Sequence, residues 1–259
     1  MSLQRVNYDD HQHRVYAKAR AIGADMLGRW MEVFAAALPA ARPLALLDLG
    51  SGTGRFSPAL ADAFGGPVHG VEPSAGMRAV ASANAAHPAV TYLEGEAADI
   101  PLGDASVDGV LMFLSFHHVE DKKGAAREIA RVLKPGGRIL LRGVFSDRPP
   151  PTWYNAYFPR LEAIQAAMFP TLSEVLALFG AEGFEQLAYL EIEEQYSQSE
   201  AQAVEQIRLR GISTFDHLSS EEIAAGFARM DRDLEAGRLH PPLTGRSDLL
   251  VLGRQAARL

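Results

Sequence analysis

The sequence contains no cysteine among its 259 residues. Disulfide bonds, cysteine-based zinc sites and a catalytic thiol are therefore excluded, and nothing in the composition indicates an oxidising compartment. Hydrophobic residues make up 47% of the chain, which is enough to build a sizeable core without covalent cross-links.

The sequence also has no excess of basic residues. Its 25 lysine and arginine residues are outnumbered by 32 aspartate and glutamate residues, which gives a formal net charge of −7. Proteins that bind nucleic acids usually carry a clustered basic surface. We therefore expect no nucleic-acid partner and favour a small or neutral ligand.

Long apolar runs are missing as well. No stretch approaches the roughly 18 uninterrupted apolar residues of a membrane span, and residues 1–10 are polar, without the apolar run of a signal peptide. These absences predict a soluble, cytoplasmic protein with no membrane partner.

Apolar runs and helical patterns alternate through the first half of the chain. Residues 44–49 form a continuous apolar run, typical of a strand buried on both faces, and further strands are predicted at 68–72, 90–93, 107–114 and 138–144. The intervening helices, predicted at 56–64, 74–86 and 122–133, imply right-handed crossovers and a parallel sheet. Such sheets bind ligands at the carboxyl ends of their strands, beside the first strand.

The remaining segments are predicted to complete this sheet and to cover it. Apolar residues recur at helical spacing from Val15 to Leu38, which predicts one long helix or a broken pair. Two further strands, near 188–193 and 248–253, bring the predicted sheet to seven strands. We predict a single doubly wound, mostly parallel α/β domain with an N-terminal helical cover (1–40), a core (41–145), a helical lid (146–182), and C-terminal strands with inserted helices (183–259).

Three alternating glycines follow the first predicted strand, between Asp48 and Arg55. Glycines at this spacing let the backbone of a strand-to-helix turn approach a ligand closely. A dinucleotide fingerprint would read G-x-G-x-x-G, but Arg55 occupies the place of its third glycine. The fit to NAD is therefore poor, although Glu72 lies roughly 20 residues on, where a ribose-binding acid belongs.

Another pattern fits this stretch better. Asp48 followed by Gly50, Gly52 and Gly54 resembles the glycine-rich motif of the class I S-adenosylmethionine-dependent methyltransferases, in which an acid precedes a G-x-G-x-G run. Four later segments are similar to motifs of the same family and occur in the same order: 72–77, 95–101, 107–119 and 131–138. The chain thus resembles the small-molecule members of this family, of the type found in ubiquinone and menaquinone biosynthesis.

The resemblance implies a Rossmann-like methyltransferase fold that binds S-adenosylmethionine and releases S-adenosylhomocysteine. The glycine loop would hold the amino acid end of the cofactor, Asp48 would orient that loop and the cofactor ammonium, and Glu72 would accept hydrogen bonds from the ribose diol. The N-terminal helix would bring a side chain to the cofactor carboxylate. The implied cofactor-binding residues are Tyr16, Arg20, Asp48, Gly50, Ser51, Gly52, Thr53, Gly54, Phe56, Glu72, Pro73, Met77, Glu96, Ala97, Phe113, Leu114 and His118.

Two adjacent histidines are the candidates for acid–base chemistry. Side chains of neighbouring residues in extended backbone point in opposite directions, so we expect His117 and His118 not to share a metal ion, and we predict no metal site. Either imidazole, if it faces the pocket, could act as a general base near neutral pH. The alternative is that it packs beside the cofactor or orders the loop.

An aromatic, proline-rich segment is the predicted lid and wall of the acceptor site. The alternative for these side chains is ordinary packing of an inserted helix over the sheet. The candidates are Trp153, Tyr154, Tyr157 and Phe158, and Arg208, Arg210 and Arg246 are additional groups that could meet an anionic acceptor or lie in solvent.

Methyl transfer from a sulfonium is a direct displacement, to which proximity, alignment and exclusion of water contribute most of the acceleration. We predict transfer to a small-molecule acceptor. The fourth strand leads into Ser115-Phe116-His117-His118 rather than the Asn/Asp-Pro-Pro-aromatic sequence of family members that methylate exocyclic or amide nitrogens. The alternatives are a non-catalytic S-adenosylmethionine-binding regulatory protein and, less favoured, an NAD-dependent oxidoreductase. The acceptor, the atom methylated and the choice between monomer and homodimer stay open.

Overall fold

The protein is built around one β-sheet. The structure is a computed structural model and describes residues 8–9 and 13–254. Its strands are β1 (Leu44–Leu49), β2 (Gly65–Val71), β3 (Val90–Leu93), β4 (Val107–Phe113), β5 (Leu133–Gly143), β6 (Phe184–Gln195) and β7 (Thr244–Arg254). Within the described residues they form a seven-stranded sheet in the order β3-β2-β1-β4-β5-β7-β6. Neighbours from β3 to β5 run parallel, and β7 runs antiparallel to β5 and β6. The predicted doubly wound, mostly parallel sheet is confirmed.

β1 shows why its sequence forms a central strand. Successive side chains of a strand point to opposite faces, and in β1 both faces are apolar. Leu47 and Leu49 belong to the core on one side of the sheet, whereas Leu44 and Leu46 belong to the core on the other side. A strand that buries both faces pairs on both edges, and β1 lies between β2 and β4.

Helices cover the two faces of the sheet. On the face of Leu47 the core includes Ile129 and Phe179, and on the face of Leu46 it includes Trp30 and Phe34. The described helices are α1 (His13–Ala19), α2 (Ala24–Ala37), α3 (Ser57–Phe64), α4 (Ala75–Asn84), α5 (Lys122–Val132), α6 (Arg160–Met168), α7 (Leu172–Gly180), α8 (Glu200–Arg208) and α9 (Ser220–Glu235).

The N-terminal apolar stripe forms a broken pair of helices, one of the two predicted forms. α1 ends at Ala19 and α2 begins at Ala24. α2 is part of the sheet packing rather than only a cover, because Trp30 and Phe34 are completely buried against the strands. Truncation of such a buried aromatic residue to alanine typically costs about 3–5 kcal/mol of stability.

β5 begins earlier than the sequence predicts. The sequence predicts a helix that ends at residue 133 and a strand that begins at residue 138, but Leu133 already pairs with Val107, and Arg138 pairs with Gly109. The register irregularity between these pairs accommodates the extra residues, and Gly136 adopts φ 78° there. The Pro-Gly-Gly sequence therefore forms an irregularity within the strand instead of preceding it.

The lid is larger than the predicted segment 146–182. Phe158, Leu161 and Ile164 form a third apolar core together with side chains from the β6–β7 connection, including Phe215 and Met230. α7, in contrast, packs against the sheet through Val175 and Phe179. The lid therefore combines α6 with α8 and α9, two segments separated by a strand, which no local pattern could reveal.

One described stretch, Arg160–Gly180, is long and apolar enough by composition to meet a membrane-span criterion, although the sequence analysis expected none. It consists of α6 and α7, with residues 169–171 between them, and it includes the charged side chains of Glu162 and Glu174.

Candidate active site

Two adjoining cavities lie at the carboxyl edge of the parallel strands. The first, here called the loop cavity, has a volume of about 590 Å³ and is lined by the glycine loop, the tip of β2 and the loop after β3. The second, the lid cavity, has a volume of about 650 Å³ and lies between the sheet edge and the lid. Tyr8, Tyr16, Phe113, Leu114 and His118 line both cavities and so form the junction between them.

The three glycines of the loop have different surroundings. Gly50 and Gly52 line the loop cavity, and a Cβ placed on Gly52 would meet no atom within 4 Å. A Cβ on Gly54 would instead overlap the phenol of Tyr92, with the ring Cζ only 2.7 Å away. All three have positive φ angles of 56–74°, which side chains disfavour. Only Gly50 and Gly52 thus offer backbone to a ligand.

Glu72 lies at the tip of β2 with both carboxylate oxygens engaged by backbone. Oε2 accepts a hydrogen bond from the amide of Gly52 at 3.0 Å, and Oε1 accepts one from the amide of Ser74 at 3.0 Å. The side chain is largely buried, and burial raises the pKa of its carboxyl above the usual value. Because each carboxylate oxygen has two lone pairs, both can still accept a further hydrogen bond from a diol in the loop cavity.

Asp48 does not line either cavity. Its Oδ2 accepts a hydrogen bond from the hydroxyl of Ser57 at 2.7 Å, which ties the end of β1 to the first turn of α3. Burial raises the pKa of the Asp48 carboxyl to about 6. Of the two roles implied for Asp48, the position behind the glycine loop suits the one of orienting that loop, whereas the contact with the cofactor ammonium is corrected, because Asp48 does not line the loop cavity.

Several other predicted loop residues also lie outside the cavity lining. Phe56 belongs to the core, with its ring centroid 4.1 Å from that of Phe113, because the start of α3 turns it toward the sheet. Ser51, Thr53 and Gly54 do not line the loop cavity. The sequence motif of the family covers every residue of the loop, whereas in the fold only alternate loop residues, Gly50 and Gly52, line the cavity.

The opposite wall of the loop cavity is formed by α4 and the loop after β3. Pro73, Met77, Glu96 and Ala97 line it. Ser74 caps α4 by accepting a hydrogen bond from the amide of Met77 at 3.1 Å, as its sequence position predicts.

Sequence analysis missed the segment that closes the loop cavity. Asp9 Oδ1 accepts hydrogen bonds from the hydroxyl of Ser74 at 2.6 Å and from the amide of Gly76 at 2.7 Å, so residues 8–9 are fastened to the start of α4. Tyr8 lies beside Asp9 and reaches the junction of the two cavities. These residues do not belong to a recognisable sequence motif. The one indication of a role in the sequence is that a tyrosine and an acidic residue occur together just before an amphipathic helix.

The junction carries backbone strain at the end of β4. Leu114 has φ 58°, a conformation that is uncommon for residues other than glycine, and its amide donates to the carbonyl oxygen of Arg142 at 2.8 Å. Residues held in such conformations cluster at functional sites, where the surrounding structure compensates their cost. Phe113 and Leu114 therefore lie, in part in a strained conformation, where the two cavities meet.

His117 and His118 lie on the same side of the chain, contrary to the expectation from extended backbone. They belong to a 3₁₀ helix, Phe116–His118, which places the two ring centroids 4.0 Å apart. Burial and the neighbouring His118 lower the pKa of His117 well below its usual value, so His117 is neutral at physiological pH. The described residues contain no group of three or more metal-ligand side chains.

The hydroxyl of Tyr8 meets His118 in the junction. The distance between Tyr8 Oη and His118 Nε2 is 2.7 Å. Burial raises the pKa of the Tyr8 hydroxyl, so it remains protonated and can donate. Of the two histidines, only His118 lines both cavities.

The four predicted acceptor aromatics divide into two pairs. Trp153 and Tyr154 line the lid cavity. Tyr157 and Phe158 do not: the Tyr157 hydroxyl donates to Asp233 at 3.0 Å, and the Phe158 ring lies 4.8 Å from that of Phe215. Their assignment to the acceptor wall is corrected, because the lid uses them to build its own core.

A buried ion pair forms one wall of the lid cavity. Arg142 Nη2 donates to Glu194 Oε2 at 2.9 Å and to the hydroxyl of Ser247 at 2.6 Å, which joins β5, β6 and β7. Burial raises the pKa of Glu194, but Arg142, the Ser247 hydroxyl and Arg55 together outweigh burial, and the net pKa is lowered. Sequence analysis missed these residues, although an arginine within the apolar run of β5 is a signal.

Two more arginines lie beside this pair. Arg55 Nη1 donates to the backbone oxygen of Arg20 at 2.6 Å, and the Arg55 guanidinium carbon lies 5.7 Å from the ring centroid of Tyr16. Burial raises the pKa of the Tyr16 hydroxyl, but Arg55 and Arg20 outweigh burial and lower it overall. Arg20 lines the lid cavity but not the loop cavity, whereas Tyr16 lines both.

Of the three arginines that the sequence suggested for an anionic acceptor, Arg208 and Arg246 form ion pairs, Arg246 also lines the lid cavity, and Arg210 lines neither cavity. Arg208 forms an ion pair with Asp231. Arg246 lies 3.1 Å from Asp248 and 3.3 Å from Glu191. The lid cavity is also lined by Arg20, which directly follows α1, and by Arg55, which directly follows the glycine loop.

The loop cavity matches the chemical groups of S-adenosylmethionine. The open space over Gly52 suits the amino acid end, the Glu72 oxygens suit a ribose diol, and Met77 offers an apolar surface to a purine. These residues would hold the cofactor, whose sulfonium supplies an activated methyl group.

The comparisons with known proteins agree with this match. A methyltransferase-domain family model matches residues 47–141. The demethylmenaquinone methyltransferase of Clavibacter sepedonicus is 30% identical over 86% of this chain and 85% of its own length. The O-methyltransferase cnsE of Penicillium expansum is 37% identical, but the match spans only 41% of this chain and 40% of that protein.

A solved structure gives the same fold. The putative methyltransferase from an antibiotic biosynthesis pathway of Anabaena variabilis superposes with a TM-score of 0.75, at 24% identity, over 91% of this chain and 99% of that one. Together with the extended match to the Clavibacter enzyme, these findings establish that the chain belongs to the class I S-adenosylmethionine-dependent methyltransferases.

Proposed function

We propose that the protein transfers the methyl group of S-adenosylmethionine to a small-molecule acceptor bound in the lid cavity. The observation that carries this proposal is the junction lined by Tyr8, Tyr16, Phe113, Leu114 and His118, where the two cavities meet. A donor and an acceptor in adjoining cavities can come into contact in an orientation fixed by the protein, and such positioning contributes much of the rate enhancement. The names of the relatives support a small acceptor.

In the loop cavity, Gly50 and Gly52 bind the amino acid end of the cofactor through their backbone, and Glu72 binds the ribose diol. Pro73, Met77, Glu96 and Ala97 surround the adenine. Asp48 is a positioning residue that acts through Ser57 and the glycine loop. Tyr16, with Arg20 behind it, meets the cofactor carboxylate.

The lid cavity holds the acceptor between Trp153, Tyr154 and the polar wall. A lone pair of the acceptor forms the new bond to the methyl carbon, and the electrons of the carbon–sulfur bond stay with sulfur, which gives S-adenosylhomocysteine. If the acceptor atom is a hydroxyl oxygen, its proton must leave. The Tyr8 hydroxyl can accept that proton while passing its own to His118 Nε2, 2.7 Å away.

A cavity of about 650 Å³ beside the cofactor site favours turnover over a purely regulatory role. Family membership and the missing third glycine of a dinucleotide fingerprint both disfavour NAD. The net charge of −7 disfavours a nucleic-acid acceptor. We also propose that the protein is cytoplasmic and is a monomer or a homodimer.

Thermal unfolding with two ligands tests the cofactor assignment. S-adenosylhomocysteine should raise the melting temperature in a concentration-dependent manner, because a ligand that binds the native state stabilises it. NAD at the same concentration should have no effect. Stabilisation by NAD without stabilisation by S-adenosylhomocysteine would refute the proposal, and transfer of a labelled methyl group to acceptors tests turnover itself.

A further inference from the structure

Three arginine side chains converge on one wall of the lid cavity. Arg20, Arg55 and Arg142 all line it, and the guanidinium carbons of Arg55 and Arg142 lie 5.2 Å and 5.0 Å from the ring centroid of Phe113. In the described part of the chain, the only carboxylate that forms an ion pair with any of them is Glu194, which pairs with Arg142. Guanidinium groups stay charged in proteins, so this wall carries excess positive charge.

Two further carboxylates and a histidine of the cavity do not neutralise it. Asp248 pairs with Arg246 at 3.1 Å, and Glu162 is exposed on α6. His117 is neutral, because burial lowers its pKa well below the usual value. Among the described residues, neither Arg20 nor Arg55 therefore has a carboxylate of its own, and the groups that favour the charge of both are the Tyr16 hydroxyl and the shared Glu194.

The guanidinium groups also have unused donors. Arg55 makes one hydrogen bond to a described residue, to the backbone oxygen of Arg20. The Nε atoms of Arg20 and Arg142 are buried and, among the described residues, have no hydrogen-bond partner. A buried donor without a partner costs free energy, so a ligand that accepts these hydrogen bonds gains affinity.

The cofactor cannot supply all of the missing negative charge. This step rests on the proposed function. The carboxylate of S-adenosylmethionine can neutralise one guanidinium at most, and the ammonium and sulfonium of the same molecule add positive charge. Even if the cofactor carboxylate offsets the charge of Arg20, Arg55 has no ion pair with a carboxylate of the described residues, since Glu194 pairs with Arg142.

We propose that the acceptor carries a carboxylate, which binds Arg55, with Arg142 and Arg20 beside it, on the Phe113 side of the lid cavity. A planar guanidinium matches a carboxylate with two parallel hydrogen bonds. The aromatic side chains of Trp153 and Tyr154 line the same cavity and suit an apolar body.

Matched ligand pairs test the proposal by binding, without turnover. Isothermal titration of the protein saturated with S-adenosylhomocysteine would use acetate, benzoate and 4-hydroxybenzoate against their primary amides, with phenyl phosphate as the alternative anion. We expect at least one acid to bind at least about tenfold more tightly than its amide, the scale of a charged hydrogen-bonded contact. Arg55→Gln should abolish the preference, and Arg55→Lys should retain part of it.

Arg29→Gln is the matched control, because Arg29 is exposed on α2 and lines neither cavity. The proposal would be overturned if the acids bound no more tightly than their amides, or if no acid bound at all. It would also be overturned if phenyl phosphate bound more tightly than the acids, or if the preference for acids survived in Arg55→Gln. Binding of S-adenosylhomocysteine is measured first in each variant. If the wild type did not bind S-adenosylhomocysteine, the proposed function would be contradicted. If it bound S-adenosylhomocysteine but showed no preference for acids over amides, only the carboxylate proposal would be contradicted.

Discussion

The Tyr8 hydroxyl and Nε2 of His118 lie 2.7 Å apart although 110 positions separate the two residues in the chain. The contact joins the N-terminal segment to the loop after β4 at the junction of the cavities. It is the contact through which an acceptor proton would leave.

Tyr8→Phe should separate proton transfer from cofactor binding. With a hydroxyl acceptor, we expect turnover to fall by about 10²-fold, the usual size of a general-base contribution. Affinity for S-adenosylhomocysteine should change by less than threefold, since only one hydroxyl is removed. Rate measurements across pH 6–9 and calorimetry check the two effects, and an unchanged rate at every pH would exclude the relay.

Glu72→Gln should weaken cofactor binding more than Asp48→Asn does. Glu72 lines the loop cavity, whereas Asp48 is behind the loop. We expect Glu72→Gln to raise the dissociation constant of S-adenosylhomocysteine by at least about tenfold, corresponding to loss of a charged hydrogen bond. Equal losses in the two variants, measured by calorimetry, would contradict this division of roles.

Asp48 should also make stability depend on pH. Its pKa is about 6 in the folded protein, above the ordinary value of 3.8, so the native state binds more protons between these values. The contribution is fully present below pH 3.8 and is lost as the pH rises through 6, with a size of about 3 kcal/mol. Denaturant titrations from pH 4 to pH 7 should show this loss relative to Asp48→Asn, and parallel pH profiles would contradict it.

Arg20→Gln decides which ligand Arg20 serves. If it meets the cofactor carboxylate, the variant should lose about tenfold in affinity for S-adenosylhomocysteine and little for 5′-methylthioadenosine, which lacks the amino acid end. Unchanged affinity for both ligands would assign Arg20 to the acceptor alone. Calorimetry on the wild type and on Arg29→Gln supplies the reference values.

Gly52→Ala and Gly54→Ala should fail in different ways. A methyl group on Gly52 points into the open loop cavity, so we expect weakened cofactor binding, whereas one on Gly54 overlaps Tyr92. Both have positive φ, which costs an alanine about 1 kcal/mol or more. Gly54→Ala should therefore show the larger loss of stability on denaturant titration, and the reverse order would contradict the packing assigned to Tyr92.

The sequence was sufficient for the sheet and for much of the loop cavity, because those features are local. The alternation of Leu46 and Leu47 between two faces, the cap at Ser74 and the acid at the tip of β2 each depend on neighbours within a few residues. The family resemblance then placed Glu72 and Met77 on the cavity wall, as the structure does.

The lid cavity depends on contacts between distant segments and was largely missed. Phe158 packs on Phe215, and Arg142 pairs with Glu194 across two strands, so the role of each is fixed by a partner 50 or more residues away. A cluster of aromatic residues in a sequence is equally consistent with core packing and with the wall of a binding site. Only the tertiary structure separates Trp153 and Tyr154, which line the cavity, from Tyr157 and Phe158.

The attachment of residues 8–9 to the start of α4 has a kinetic consequence. Tyr8 belongs to the walls of both cavities, and Asp9 anchors it through Ser74 and Gly76. Detachment of this short segment would expose donor and acceptor sites together. Entry of one ligand and departure of the other would then share a single gate, and a molecule bound on either side would slow the exchange of its neighbour.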